Sequence, residues 1–152
     1  MIKRSALIRT ILNLWPPYLG AGIRVKSAGG DPYTVIVEMK LRWWNRNYVK
    51  THFGGSLYAM TDPFFMMILM ENLGNDYIIW DKAARIQFKK PGKGTVKACF
   101  HIPPAEIERI RQLAETNYKV EPEFRTNIVD EEGNIIAQVH KLLYVRKKDQ
   151  PK

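Results

Sequence analysis

The chain predicts an α+β fold, a largely antiparallel sheet with one long buried helix, and three observations predict it. Five or six short stretches rich in β-branched and aromatic residues are each bounded by Gly, Pro, Asn or Asp, the pattern of strands and turns. A segment at about 54–73 is apolar nearly all round, with Leu57, Tyr58, Met60, Phe64, Phe65, Met67, Ile68 and Leu69, which marks a helix buried on several sides. Finally, 152 residues suit one domain with a single sizeable core.

Taken in order, Ile2, Leu7, Ile11, Leu14 and Trp15 approximate the apolar stripe of an N-terminal helix over 3–15, which Pro16-Pro17 ends. Its polar face is not especially basic, so the stripe is expected to pack on the domain rather than on a membrane surface. Strands at 23–26 and 33–41 flank the turn chemistry of Gly29-Gly30-Asp31-Pro32. A polar and aromatic loop, Trp43 to Phe53, leads to the central helix, which Gly74 and Asn75 cap. Strands at 77–88 and 94–102 flank a turn at Lys89-Lys90-Pro91-Gly92-Lys93. A helix at about 103–116 opens on proline and spaces Ile107, Ile110 and Leu113 helically. Strands at 118–129 and 134–145 form a hairpin about Asp130-Glu131-Glu132-Gly133, and the tail 146–152 is charged. One sheet cannot cover a helix that is apolar all round, so a neighbouring subunit is expected.

Composition narrows the partners. The balance of 24 basic and 15 acidic residues gives +9, which favours anionic ligands. Nothing sets out arginines or aromatics for nucleic acid, and none is expected. A lone Cys99 excludes an intrachain disulfide and suits a reducing cytoplasm. The most apolar run, Phe64 to Met70, falls far short of the roughly 20 residues that span a bilayer, so no membrane partner is expected. His101 and His140 have no Cys, Asp or Glu at ligand spacing, and no metal site is predicted.

The stretch THFGGSLYAMTD, Thr51 to Asp62, carries the candidate chemistry and admits two readings. Asp62 can be an N-cap with Pro63 at the first helical position, leaving Gly54-Gly55 a flexible turn. Alternatively the helix starts near Gly55 and encloses Pro63, at a cost of about 3 kcal/mol. Local propensity favours the first. Periodicity favours the second, since Leu57, Met60, Phe64, Met67 and Ile68 continue one stripe across the proline. In the second reading the first amides are free to polarise a carbonyl, and glycine lets a substrate approach the backbone. Seven residues turn a helix by about 700° and rise about 10.5 Å. Asp62 then shares a face with Gly55 but lies too far along it to grip the same carbonyl. Two antiparallel copies could combine the amide of one with the carboxylate of the other.

The pattern Asn47-x-x-x-Thr51-x-x-Gly54-Gly55 with Asp62 seven residues on resembles the active-site segment of hotdog-fold acyl-CoA thioesterases of the phenylacetate-pathway type. Within that superfamily the chain is most similar to a thioesterase-like group classed as domain of unknown function 4442. The resemblance covers roughly residues 20–147 and implies a hotdog fold, a sheet wrapped around the central helix, with 103–116 as an elaboration. It implies a homodimer or dimer of dimers with active sites between subunits. It casts Asp62 as nucleophile or general base, the Gly55 amide as the group polarising the thioester carbonyl, and Asn47 as a further site residue. His52, Phe53, Gly54 and Thr61 are expected near the substrate, although a helical Thr also bonds its own backbone. Arg85, Lys89, Lys90 and Lys93 form the best basic cluster, and related enzymes place this strand and turn near coenzyme A phosphates. A solvated hairpin tip explains the same residues. No cofactor is expected apart from coenzyme A within the substrate.

One departure stands out: the family pattern has His immediately before the glycine pair, where this chain has Phe53, with His52 one place earlier. Hydrolysis of an acyl thioester is the leading reading. A non-catalytic acyl-CoA or lipid-binding protein is the alternative that Phe53 suggests, and hydratase or dehydratase chemistry on acyl thioesters would use His52.

Overall fold

The structure, a computed structural model, describes residues 2–26 and 30–149; Gly29 of the expected turn, the side chain of Ile2 and the end of the charged tail lie outside them. Six strands form one antiparallel sheet: β1 (Ile23–Lys26), β2 (Thr34–Lys40), β3 (Tyr77–Phe88), β4 (Thr95–His101), β5 (Glu123–Val129) and β6 (Ile135–Lys147), in the order β1-β2-β4-β5-β6-β3. Among the described residues five helices accompany it: α1 (Ile2–Leu14), α2 (Pro16–Ala21), α3 (Gly54–Ala59), α4 (Phe64–Leu73) and α5 (Pro104–Thr116).

The α4 helix packs on β2 and β4 and also on β3 at the far edge of the sheet, so the sheet curls around it. Phe64, Phe65, Ile68, Leu69 and Leu73 enter the core, where Phe65 packs edge-on against Phe100 and stacks on Phe124. Inward residues of the long β6 (Ala137, Val139, Leu143, Val145) line the opposite wall. Arg111 on α5 donates to the carbonyls of Asn72 (2.7 Å) and Leu73 (3.4 Å), satisfying the open end of α4.

Four expectations change. The prolines 16 and 17 end α1 but also open α2, standing in its first turn, where the missing N–H costs nothing. The N-terminal stripe does not pack inward, since Leu7, Ile11, Leu14 and Trp15 are exposed. Asn13 faces β1 instead, exchanging two hydrogen bonds with the backbone of Val25. The helix expected at 54–73 is two helices, with residues 60–63 making tight turns between them. There Thr61 N–H bonds Tyr58 O, and Asp62 N–H bonds Ala59 O at 3.2 Å. Pro63 is the residue capping α4, and no side chain caps that helix. Finally, 89–94 is not a hairpin turn: Phe88 pairs with Ala137 of β6, whereas β4 pairs with β2 and β5. The segment crosses from one edge of the sheet to its middle, and its cross-strand partners lie too far off in sequence for local turn chemistry to reveal it.

Candidate active site

The approach to α3 is a braced loop. Asn47 donates from Nδ2 to Thr51 Oγ1 (2.9 Å) and to His52 O (3.3 Å), while its Oδ1 accepts the Thr51 N–H (2.9 Å). Every polar atom of that side chain is therefore engaged within the loop. His52 continues the brace, its N–H bonding Gly92 O at 2.9 Å and its ring Nε2 donating to Gly94 O at 3.0 Å. The residue is buried, and Nδ1 has no partner among the described residues. Burial pushes the imidazole pKa down, opposed by the bond to Gly94. His52 thus staples the crossover to the loop, and its ring is turned away from the surface.

Phe53 is extended and its carbonyl accepts the first helical bonds, from Ser56 and Leu57. The N–H groups of Gly54 and Gly55 have no acceptor among the described residues. Two half-exposed aromatic rings lie over this turn. A Cβ on Gly54 would sit 3.1 Å from the Phe88 ring, and one on Gly55 2.5 Å from the ring of Phe53. The glycine pair is what lets both rings close on the backbone. Beside Phe53 and Ser56 opens a cleft of about 400 Å³, walled by Pro17 and Ala21 of α2 and by Trp44 and Arg46 of the loop.

At the other end of α3 stands Asp62, its side chain 53% exposed. Its Oδ1 accepts from Lys141 Nζ at 3.2 Å and from the Tyr58 hydroxyl, one helical turn back, at 3.5 Å. Lys141 is completely buried; its ammonium also donates to Asp81 Oδ2 (3.0 Å) and to the Tyr58 oxygen (3.4 Å). Strand geometry explains the cluster. Lys141 occupies an inward position of β6 between Val139 and Leu143, and Asp81 lies opposite Leu143 in β3. The register then slips between Asp81 and Ala83, a bulge at Lys82 that changes which face the next residues present. Asp81 points inward before the bulge and Phe88 after it, whereas Arg85, opposite His140, is turned to the sheet's outer face.

Burial is the largest single influence on the Lys141 ammonium and pushes its pKa down. The bond and charge of Asp81, with Asp62 and Tyr58, outweigh it and set the pKa above its ordinary value, so Lys141 remains charged. Burial pushes the Asp81 carboxyl up, against the pull of Lys141, and its second oxygen is buried without a partner among the described residues. The Tyr18 phenol is also raised, first by burial and then by the charge of Asp62.

The structure therefore gathers the predicted residues in two places. Phe53, Gly54 and Gly55 meet Phe88 and the basic crossover at the start of α3, where Lys90 Nζ reaches Asn134 and Lys89 Nζ reaches Gln87. Asp62 stands beyond the other end of α3, in the turns that lead to α4. Thr61 is fully buried and its hydroxyl donates to Tyr58 O (2.7 Å), the backbone bond open to any helical threonine. Arg85 joins neither group. Sequence reasoning missed Lys141, Asp81 and Tyr58. Lys141 was detectable as the one charged residue in the inward alternation Ala137, Val139, Lys141, Leu143, Val145, and Tyr58 as the residue four before Asp62. Asp81 gave no signal, because the bulge decides its face.

This arrangement, a curled antiparallel sheet around a helix, is the hotdog fold, and solved structures share it. The Pseudomonas aeruginosa protein PA5026, described as a "Probable Thioesterase" of unknown function, superposes with a TM-score of 0.82 at 18% identity, covering 94% of this chain and 95% of that one. The Escherichia coli PaaI protein from the phenylacetic acid degradation operon gives 0.60 at 14% identity, covering 97% and 96%. Mouse thioesterase superfamily member 2 gives 0.61 at 17%, covering 95% and 97%. Residues 3–145 match the family described as Domain of unknown function (DUF4442), and the chain belongs to that family. No curated protein sequence matches it.

Proposed function

We propose that the protein hydrolyses an acyl-CoA or related thioester, with Asp62 supplying or activating the nucleophile and the Gly55 amide polarising the carbonyl. The observation that carries this reading is Asp62 itself, a half-exposed carboxylate with one oxygen anchored, in a fold shared with thioesterases. As general base, Asp62 takes a proton from water, the hydroxide adds to the carbonyl carbon, and the C–S bond breaks to release the thiolate. As nucleophile it attacks the carbonyl carbon, the C–S bond breaks to release the thiolate, and water opens the resulting acyl anhydride to free the acid and restore Asp62. Gly55 stands at the start of α3 and Asp62 lies past its last residue, Ala59, and that separation favours a site built from two copies, Gly55 from one and Asp62 from the other. The outer edge of β3, a strand of 12 residues with no partner beyond it among the described residues, offers a row of backbone groups on which a second copy could pair. Asn47 supports the loop from which Gly55 emerges, and the cleft beside Phe53 has room for part of an acyl or pantetheine chain.

A second reading rests on Phe53, whose ring covers Gly55. A protein that binds acyl-CoA without turnover would tolerate that cover. Hydratase chemistry finds less support, because His52, the base it needs, is buried against Gly94. The test is thiol release from short, medium, long and aromatic acyl-CoAs, run beside Asp62→Asn. Hydrolysis is expected, reduced by the substitution at least about tenfold. Equal rates would remove Asp62 from the mechanism, and tight binding with no release from any thioester would establish the second reading.

A further inference from the structure

We propose that Lys141 is the positioning residue of the site, clamping Oδ1 of Asp62 so that Oδ2 alone is presented to the substrate. The proposal rests on Asp62 being the reacting carboxylate. A lysine with no exposed side-chain surface, set between Val139 and Leu143, needs one carboxylate to offset its buried charge. Asp81, at 3.0 Å and only 20% exposed, meets that need. The second partner does not follow from burial, since Asp62 is more than half in solvent and would be hydrated without help. Its bond to Lys141 fixes a group that the surface would otherwise leave free to rotate.

The geometry of that fixing is specific. Both donors, the Lys141 ammonium and the Tyr58 hydroxyl, meet the same oxygen of Asp62, and no donor among the described residues meets the other. Two carboxylates against one ammonium leave the trio one negative charge in excess, and Asp62, 53% exposed against 20% for Asp81, is the member that presents it most to solvent. Lys141 thus selects the reacting atom, holds the plane of the carboxylate, and is itself held on the far side by Asp81. Fixing a reacting group within a fraction of an ångström affects the chemical step more than substrate affinity.

Lys141→Met/Asp81→Asn removes the buried charges together, so neither is left uncompensated. Thermal unfolding checks its fold, and kcat and KM are read on the best acyl-CoA. Positioning predicts a kcat lower by about 10–100-fold, with KM within about threefold. Tyr58→Phe, which removes one of the two donors, is expected to lower kcat less and leave KM unchanged; it decides the question if the double variant does not fold. An unchanged kcat in either variant, or a loss confined to KM, overturns the proposal. Crystal structures of the wild type and the double variant give a readout independent of turnover: the Asp62 carboxylate should leave its orientation while the backbone of α3 stays in place. A carboxylate that does not move overturns the clamp even if activity falls. A wild type that releases no thiol, paired with a variant whose Asp62 has turned, removes the thioester reading and leaves the clamp standing.

Discussion

Gly22 and Gly55 are glycines for different reasons, and substitution should separate them. Gly22 ends α2 with φ +76°, and an added Cβ would lie 2.6 Å from Asn45 Nδ2. That amide is buried and committed, donating to Ala21 O and Lys40 O at 2.9 Å each, while its oxygen accepts the Arg42 N–H. Gly22→Ala is expected to lose about 2–5 kcal/mol, from ~1–2 for a left-handed non-glycine residue and ~1–3 for the disturbed buried amide. Urea unfolding of the variant against wild type measures it. At Gly55 the obstacle is the end of the half-exposed Phe53 side chain, which can swing aside. The sequence singled out only the second glycine, by its spacing to Asp62, and its contact with Phe53 two residues before it was not part of that reading. Asn45 lies 23 positions beyond Gly22, and nothing local announces that contact. Lys141 is the intermediate case: its parity in β6 was readable, but its partners come from α3 and β3.

Elements were legible where local chemistry defines them. The bounds of β1 and β3 match the alternating stretches, and the hairpin between β5 and β6 turns as expected at Asp130, whose Oδ1 accepts from Glu132 and Asn134 N–H. The central helix misled because its apolar stripe crosses Pro63 without a phase break while the hydrogen bonds do not. The crossover at 89–94 misled because a basic Pro-Gly segment suits a hairpin equally well. His52 is what ties that crossover down, and its titration provides a test. Its folded pKa lies below the unfolded value of 6.5, so the folded state binds fewer protons than the unfolded one as pH falls. The contribution of His52 is complete above pH 6.5 and is lost progressively as pH drops below it. Urea unfolding should therefore show stability falling as pH drops below about 6.5. His52→Gln, which can still donate to Gly94 O, should show less of that slope. An equal slope in the variant would assign the pH dependence to other groups.

For the whole molecule, an excess of nine positive charges was visible at once, but not its distribution over the fold. The strand and turn that place Arg85, Lys89, Lys90 and Lys93 together in sequence are divided by the bulge at Lys82 and the crossover after Phe88. The three lysines lie on the segment bonded to His52 and next to the Gly54-Gly55 turn, whereas Arg85 turns to the outer face with His140 and Arg125. If the phosphates of a coenzyme A thioester approach the start of α3, the crossover lysines should meet them and Arg85 of the same copy should not. Lys89→Gln/Lys90→Gln/Lys93→Gln is then expected to raise KM about threefold or more at low salt, from ~0.2–1 kcal/mol per exposed charge contact. Its kcat should hold. The difference should shrink in about 0.5 M salt, where charges farther apart than a few ångströms are screened. Arg85→Gln should change KM little at either ionic strength. The opposite ranking, with Arg85→Gln the stronger, would move the phosphates to the outer face of the sheet, where a second copy pairing along β3 would have to bring them within reach of Asp62.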